Sequence, residues 1–144
     1  MRGLLLGFAL LVATASWAQS PAGLWRTIDD ETNKERSLVR IVEVGGEFHA
    51  IVEKIFPQPG DDPDRLCKKC EGELKNKPVL GMRIMWGMKR KNDTKFDGGT
   101  ILDPNNGKTY RCKLTLHEQG RKLEVRGYIG VSLIGRSQIW WREE

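Results

Sequence analysis

A chain of 144 residues is long enough for one domain with a real core, and 24 Lys and Arg against 19 Asp and Glu leave a mild net charge of +5. The one basic cluster, Lys89-Arg90-Lys91, falls in an expected turn. Nucleic-acid binding needs a stripe of charge with interleaved stacking groups, so that partner class is set aside.

Met1-Arg2 is a short positive start, followed by an apolar run from Leu4 to Ala15 that is too short to span a membrane. Ser16-Trp17-Ala18 places small residues where a signal peptidase reads them. Residues 1–18 are therefore predicted to be a signal peptide cleaved after Ala18, leaving residues 19–144 as a single domain. Export predicts a periplasmic or secreted protein with no stable membrane insertion after cleavage. The first Cys is Cys67, so a lipid-modified mature N-terminus is not expected.

Gly23 to Ile28 reads as a first strand and the polar stretch Asp29 to Glu35 as a loop. Arg36–Val44 and Glu47–Phe56 read as a hairpin turning at Gly45-Gly46. Residues 57–78 carry Pro57, Pro59, Pro63 and Pro78 with Cys67-Lys68-Lys69-Cys70, long for an unstructured connection and hence functional or stapled. A fourth strand is expected over Leu80–Trp86, with Leu80, Met82, Ile84 and Trp86 on one face. Lys95–Leu102 follows, and its Gly98-Gly99 pair marks a bulge or a bend.

Asp103-Pro104-Asn105-Asn106-Gly107 is turn chemistry. Beyond it, Lys108–Leu116 alternates cleanly, with Tyr110, Cys112, Leu114 and Leu116 on one face. Lys122–Tyr128 and Arg136–Arg142 complete eight strands, joined mainly by short turns. The predicted fold is all-β: an eight-stranded antiparallel up-and-down barrel, which removes the edge strands and leaves room for side chains or one small ligand.

Chemistry-bearing residues are few. Cys67 and Cys70 lie in a polar loop, not at a helix N-terminus in a βαβ setting, and no local spacing supplies four zinc ligands. A disulfide staple is expected, either Cys67–Cys70 or one of them with Cys112; the latter would pin the loop across the barrel mouth. His49 and His117 show no nucleophile signature around them, and Asp97 and Asp103 read as a solvent-facing group and a turn cap. No catalytic residue, metal site or cofactor is predicted, and the protein is read as not an enzyme. The candidate ligand-binding set is Trp25, Trp86, Phe96, Tyr110, Tyr128, Arg136, Gln138 and Trp140. Arg136, Gln138 and Trp140 share one strand face, an odd set for a purely apolar core. Facing inward, they would give a cavity with an apolar body and a cationic end, suited to a small lipophilic or acidic amphipathic ligand such as a fatty acid. The alternative is a filled barrel that serves as an envelope protein-interaction module.

Gly23-Leu24-Trp25, Gly98-Gly99 with Asp103-Pro104, Asn106-Gly107-Lys108-Thr109-Tyr110, and Arg126-Gly127-Tyr128-Ile129-Gly130 through Gly135-Arg136 and Trp140 resemble the bacterial domain-of-unknown-function 2147 family over nearly the whole mature chain. The resemblance implies an exported bacterial protein with a small calycin-like barrel. Phe96 departs from it, since the family usually has Trp there, and an indole N–H is lost. Gly23-x-Trp25 with a closing-strand Arg also looks like the lipocalin signature, in which the Arg packs on the indole and plugs one barrel end. Arg136 or Arg142 would supply that cation. The export reading predicts that intact-mass spectrometry of the mature protein gives the mass of residues 19–144; material that keeps residues 1–18 would contradict it.

Overall fold

The computed structural model describes residues 3, 9–11 and 19–144. The expected signal peptide falls mostly on residues outside that set. Eight antiparallel strands follow one another round a closed ring: β1 Gly23–Ile28, β2 Glu35–Val44, β3 Glu47–Ile55, β4 Arg83–Arg90, β5 Lys95–Asp103, β6 Lys108–His117, β7 Lys122–Tyr128 and β8 Gly135–Arg142. Each strand pairs with the next, and β8 returns to β1 through Trp25↔Arg142, Arg26↔Trp141 and Thr27↔Trp140. The up-and-down barrel expected from the alternating pattern is the fold observed.

The fourth strand is displaced from its expected position. It begins at Arg83, not Leu80, and runs on to Arg90. Leu80 is 56% exposed, whereas Met85 and Met88 are fully buried. Strict alternation fails because β4 carries an extra residue: Met85 and Met88, three apart, face Ala50 and Phe48, two apart. Gly87 lies inside this bulge at φ 73°. The neighbouring strand does the same at Gly98 (φ 80°), where Phe96 and Gly99 oppose Leu114 and Cys112. Two glycine bulges side by side therefore bend one wall, of which the Gly98-Gly99 pair was legible in the sequence.

Inward residues fill one end of the ring. Trp25, Ile41, Phe48, Met88, Phe96, Leu114 and Leu123 are all buried there, and Phe48 meets Phe96 edge-on with centroids 5.2 Å apart. Arg142 closes this end. Its guanidinium carbon stands 4.3 Å from the Trp25 ring centre. Its Nε donates to Gly120 O (2.7 Å), Nη1 to Ala22 O (2.8 Å) and Nη2 to Ser20 O (2.7 Å). Trp25 Nε1 donates to Pro21 O at 2.8 Å. Of the two candidate cations, Arg142 is the one on the indole. Arg136, six residues earlier on the same strand face, sits at the opposite end.

Residues 56–82 form a strap from β3 to β4 across the open end. Cys67 and Cys70 are bridged within it, and Cys112 is free and buried, so a loop-to-barrel disulfide is not formed. The strap is anchored by Cys67 N to Lys77 O (2.8 Å), Val79 N to Arg65 O (2.9 Å) and Gly81 N to Val52 O (2.8 Å). It lies so close to the β5–β6 turn that a Cβ at Gly107 would overlap the Lys69 carbonyl. Because Arg142 joins a stacking contact to three carbonyls, Arg142→Met is expected to lower unfolding free energy by about 3 kcal/mol. Arg142→Lys should restore less than half of the loss, and a urea titration of the three proteins checks both.

Candidate functional site

The open end is hollow. A cavity of about 500 Å³ lies between the strap, the β5–β6 turn and the β7–β8 connection. Val52, Ile84, Ile101, Leu102 and Val125 supply its apolar wall, and Trp140 reaches into it from β8. Gly127, facing Cys112 across the β6–β7 ladder, also lines it and leaves room where a side chain would intrude.

Polar groups collect in two places. On the wall, Thr27 Oγ1 and Ser37 Oγ lie 2.6 Å apart, and the Trp140 indole N–H donates to Gln138 Oε1 at 3.4 Å. Asn106 Nδ2 donates to the Tyr110 hydroxyl at 2.9 Å. Toward the strap, Arg36 and Arg65 line the cavity and share Asp61. Arg36 grips that carboxylate with both terminal nitrogens, at 2.6 and 3.2 Å. These bonds, with one from Gln58 N (2.8 Å), hold the Asp61 carboxyl below the usual carboxylate range. Arg136 lies at the rim with a side chain 68% exposed and Asp30 3.6 Å away. Asp103, also on the rim, caps its own turn by accepting from Asn105 N at 2.8 Å.

Of the expected ligand-binding set, Tyr110, Tyr128, Arg136, Gln138 and Trp140 meet around this one cavity. Trp25 and Phe96 belong to the packed end, and the Phe96 ring stacks under Arg90 (4.7 Å). Trp86 is half-buried beside Arg83, outside the cavity lining. Thr27, Ser37, Arg36 and Arg65 were not foreseen. Ser37 could have been, because it shares a strand face with Val39 and Ile41. Arg65 could not, because its place depends on how the strap folds back.

The chain matches the family described as uncharacterized protein conserved in bacteria (DUF2147) over residues 23–142, which takes in all eight strands. It belongs to the DUF2147 family. No curated protein matches the chain. Among solved structures it is similar to protein HP1028 from the human pathogen Helicobacter pylori, described as belonging to the lipocalin family. The TM-score is 0.75 at 20% sequence identity, covering 88% of this chain and 84% of that one. At that identity the likeness is one of fold. Phe96, where the resemblance implies Trp, lies in the packed end and off the cavity lining.

His117 Nε2 lies 3.2 Å from Glu124 Oε1 on the outside of this DUF2147 barrel. Among the described residues no three His, Cys, Asp or Glu side chains gather as a metal site, and no helix is long and apolar enough to cross a membrane. The thiol of Cys112 is fully buried, and burial pushes it up to about 12. A folded-state value above the unfolded one means that the folded chain holds this proton more tightly. Its stabilising contribution is complete below pH ~8.5, where the unfolded thiol is also protonated, and is lost as pH rises toward 12. Relative to Cys112→Ala, the wild-type protein should lose about 1.4 kcal/mol of stability per pH unit across that window. Parallel denaturant titrations from pH 8 upward check the slope; identical slopes would refute it.

Proposed function

We propose that this DUF2147 protein is an exported, non-enzymatic carrier that holds a small hydrophobic or amphipathic, fatty-acid-like molecule in the open end of its barrel. The observation that carries the reading is the cavity of about 500 Å³ with a largely aliphatic wall and charged groups only toward its mouth. Small-molecule pockets run to about 300–1,000 Å³ and combine an apolar lining with a few placed polar groups. The lipocalin-like fold supports the same use of a barrel interior. The predicted signal peptide and the Cys67–Cys70 bridge support an oxidising compartment, the periplasm or the outside of the cell.

A second reading, an envelope protein-interaction module, draws on Ile129, Val131, Leu133 and Ile134, all strongly exposed on the β7–β8 connection. Large apolar groups gathered at one surface site are a common mark of protein contact. Native mass spectrometry after mild purification separates the two. The carrier reading expects a bound mass of a few hundred daltons, and Ile101→Trp, which fills the cavity from its wall, should reduce that occupancy about tenfold. A stoichiometric partner chain on a barrel with no small molecule would favour the second.

A further inference from the structure

The strap places one arginine where its charge is only partly answered. Arg65 lines the cavity, and its Nε is sealed from solvent with no hydrogen-bond partner. Its Nη1 stands 3.7 Å from Asp61 Oδ1, beyond hydrogen-bonding range. The carboxylate it approaches is already engaged, since Arg36 holds both oxygens and Gln58 N bonds Oδ2. Two guanidiniums thus face Asp61, and Asp62, whose charge Arg65 also feels, is paired with Lys68, so these five groups leave one positive charge over.

The backbone at this position is also unusual. Arg65 adopts φ 40°, in the left-handed region that a side-chain-bearing residue seldom occupies. It is fixed there by Arg65 N to Asp62 O (3.1 Å) and by Val79 N to Arg65 O (2.9 Å), two residues before the Cys67–Cys70 bridge. The sealed Nε is out of a ligand's reach, so a ligand would meet the terminal nitrogens, of which Nη1 falls short of a bond to Asp61; the left-handed backbone fixes where they stand. Burial, followed by the charge of Arg36, pulls the Arg65 guanidinium below its ordinary value, which an anion beside it would reverse.

We propose that Arg65 is the headgroup-selecting residue of the cavity, receiving the carboxylate of a single-chain acid whose tail lies along the aliphatic wall toward Trp140. The assignment rests on the carrier reading and adds to it the sign, number and position of the ligand's charge. One surplus charge matches a monoanion such as a carboxylate, whereas a phosphate monoester brings nearly two negative charges at neutral pH. A guanidinium also presents its N–H groups in the fork that a carboxylate accepts, and in a shielded site such a bond is little weakened by salt.

The test compares the fluorescent fatty acid cis-parinaric acid with its methyl ester, bound to the wild-type protein, Arg65→Gln and Arg65→Lys at neutral pH. The wild-type protein should bind the acid at least about tenfold more tightly than the ester, equivalent to about 1.4 kcal/mol. Arg65→Gln should abolish that preference and leave ester affinity within about twofold, a separation that loss of strap structure would not produce. Arg65→Lys should keep part of the preference. Equal binding of acid and ester by the wild-type protein, or a preference that survives Arg65→Gln, overturns the assignment and leaves the carrier reading standing. Failure of both probes to bind the wild-type protein overturns the two together. If Arg65→Gln does not fold, Arg65→Lys carries the comparison, and a preference undiminished in that variant overturns the assignment.

Discussion

Closure of the ring rests on the seam between its first and last strands. β1 and β8 share three residue pairs, and the last of these, Trp25↔Arg142, carries the stacked indole and guanidinium. Arg142 does more than pair strands. Its three donors reach carbonyls of Ser20, Ala22 and Gly120, so one side chain ties the chain's early segment to the turn before β7. The indole in turn is held by Pro21 O. A barrel has no edges only while its first and last strands stay together, and the remaining seams, mostly longer, presuppose that this one holds.

With that end sealed, the interior divides along its length. Aromatic and thioether side chains from β3, β4 and β5 fill the volume near the plug, where Phe48, Met88 and Phe96 are buried. Toward the opposite end the inward residues become shorter, with Val52, Val125 and Gly127 in place of large groups, and the volume is left vacant. The inward face of β8 crosses the whole division: Arg136 at the rim, Gln138 and Trp140 on the cavity, Arg142 at the plug. The same strand thus supplies the closure and part of the lining, and the strap brings the second cationic group from the other side of the mouth.

The number and pairing of strands could be read from the sequence because period-two alternation and turn residues mark them locally. Tyr110 to Leu116 and Leu123 with Val125 show this most plainly. β4 was misplaced at its start because Val79 to Met82, apolar in sequence, close a turn with Gly81 at φ 83° and Met82 N bonded to Val79 O, and at its end because Gly87 inserts a residue that breaks the period. The cysteine pairing was open in the sequence, since a three-residue separation and a link to Cys112 were both chemically sensible. Only proximity in space assigns it to Cys67–Cys70. Of the expected ligand-binding residues, Tyr110, Tyr128 and Arg136 converge on the cavity because they lie on the strand ends nearest its mouth, and Gln138 and Trp140 line it further in along β8. Arg36 and Arg65 were hidden for opposite reasons. Arg36 occupies the strand position that alternation assigns to solvent, and Arg65 lies in a segment with no period at all.

Leaving Cys112 unpaired has a bearing on how the molecule reaches its final form wherever thiols are oxidised. Three sulfurs permit wrong partners, and the two wrong ones each require a loop of more than forty residues to close, whereas the right one closes within a tetrapeptide. The local bridge therefore has a kinetic head start over both rivals. Once β6 docks, the third sulfur is withdrawn into the interior and its ionised, reactive form is suppressed. The order of assembly itself keeps an odd cysteine count from becoming a source of tangled or cross-linked chains.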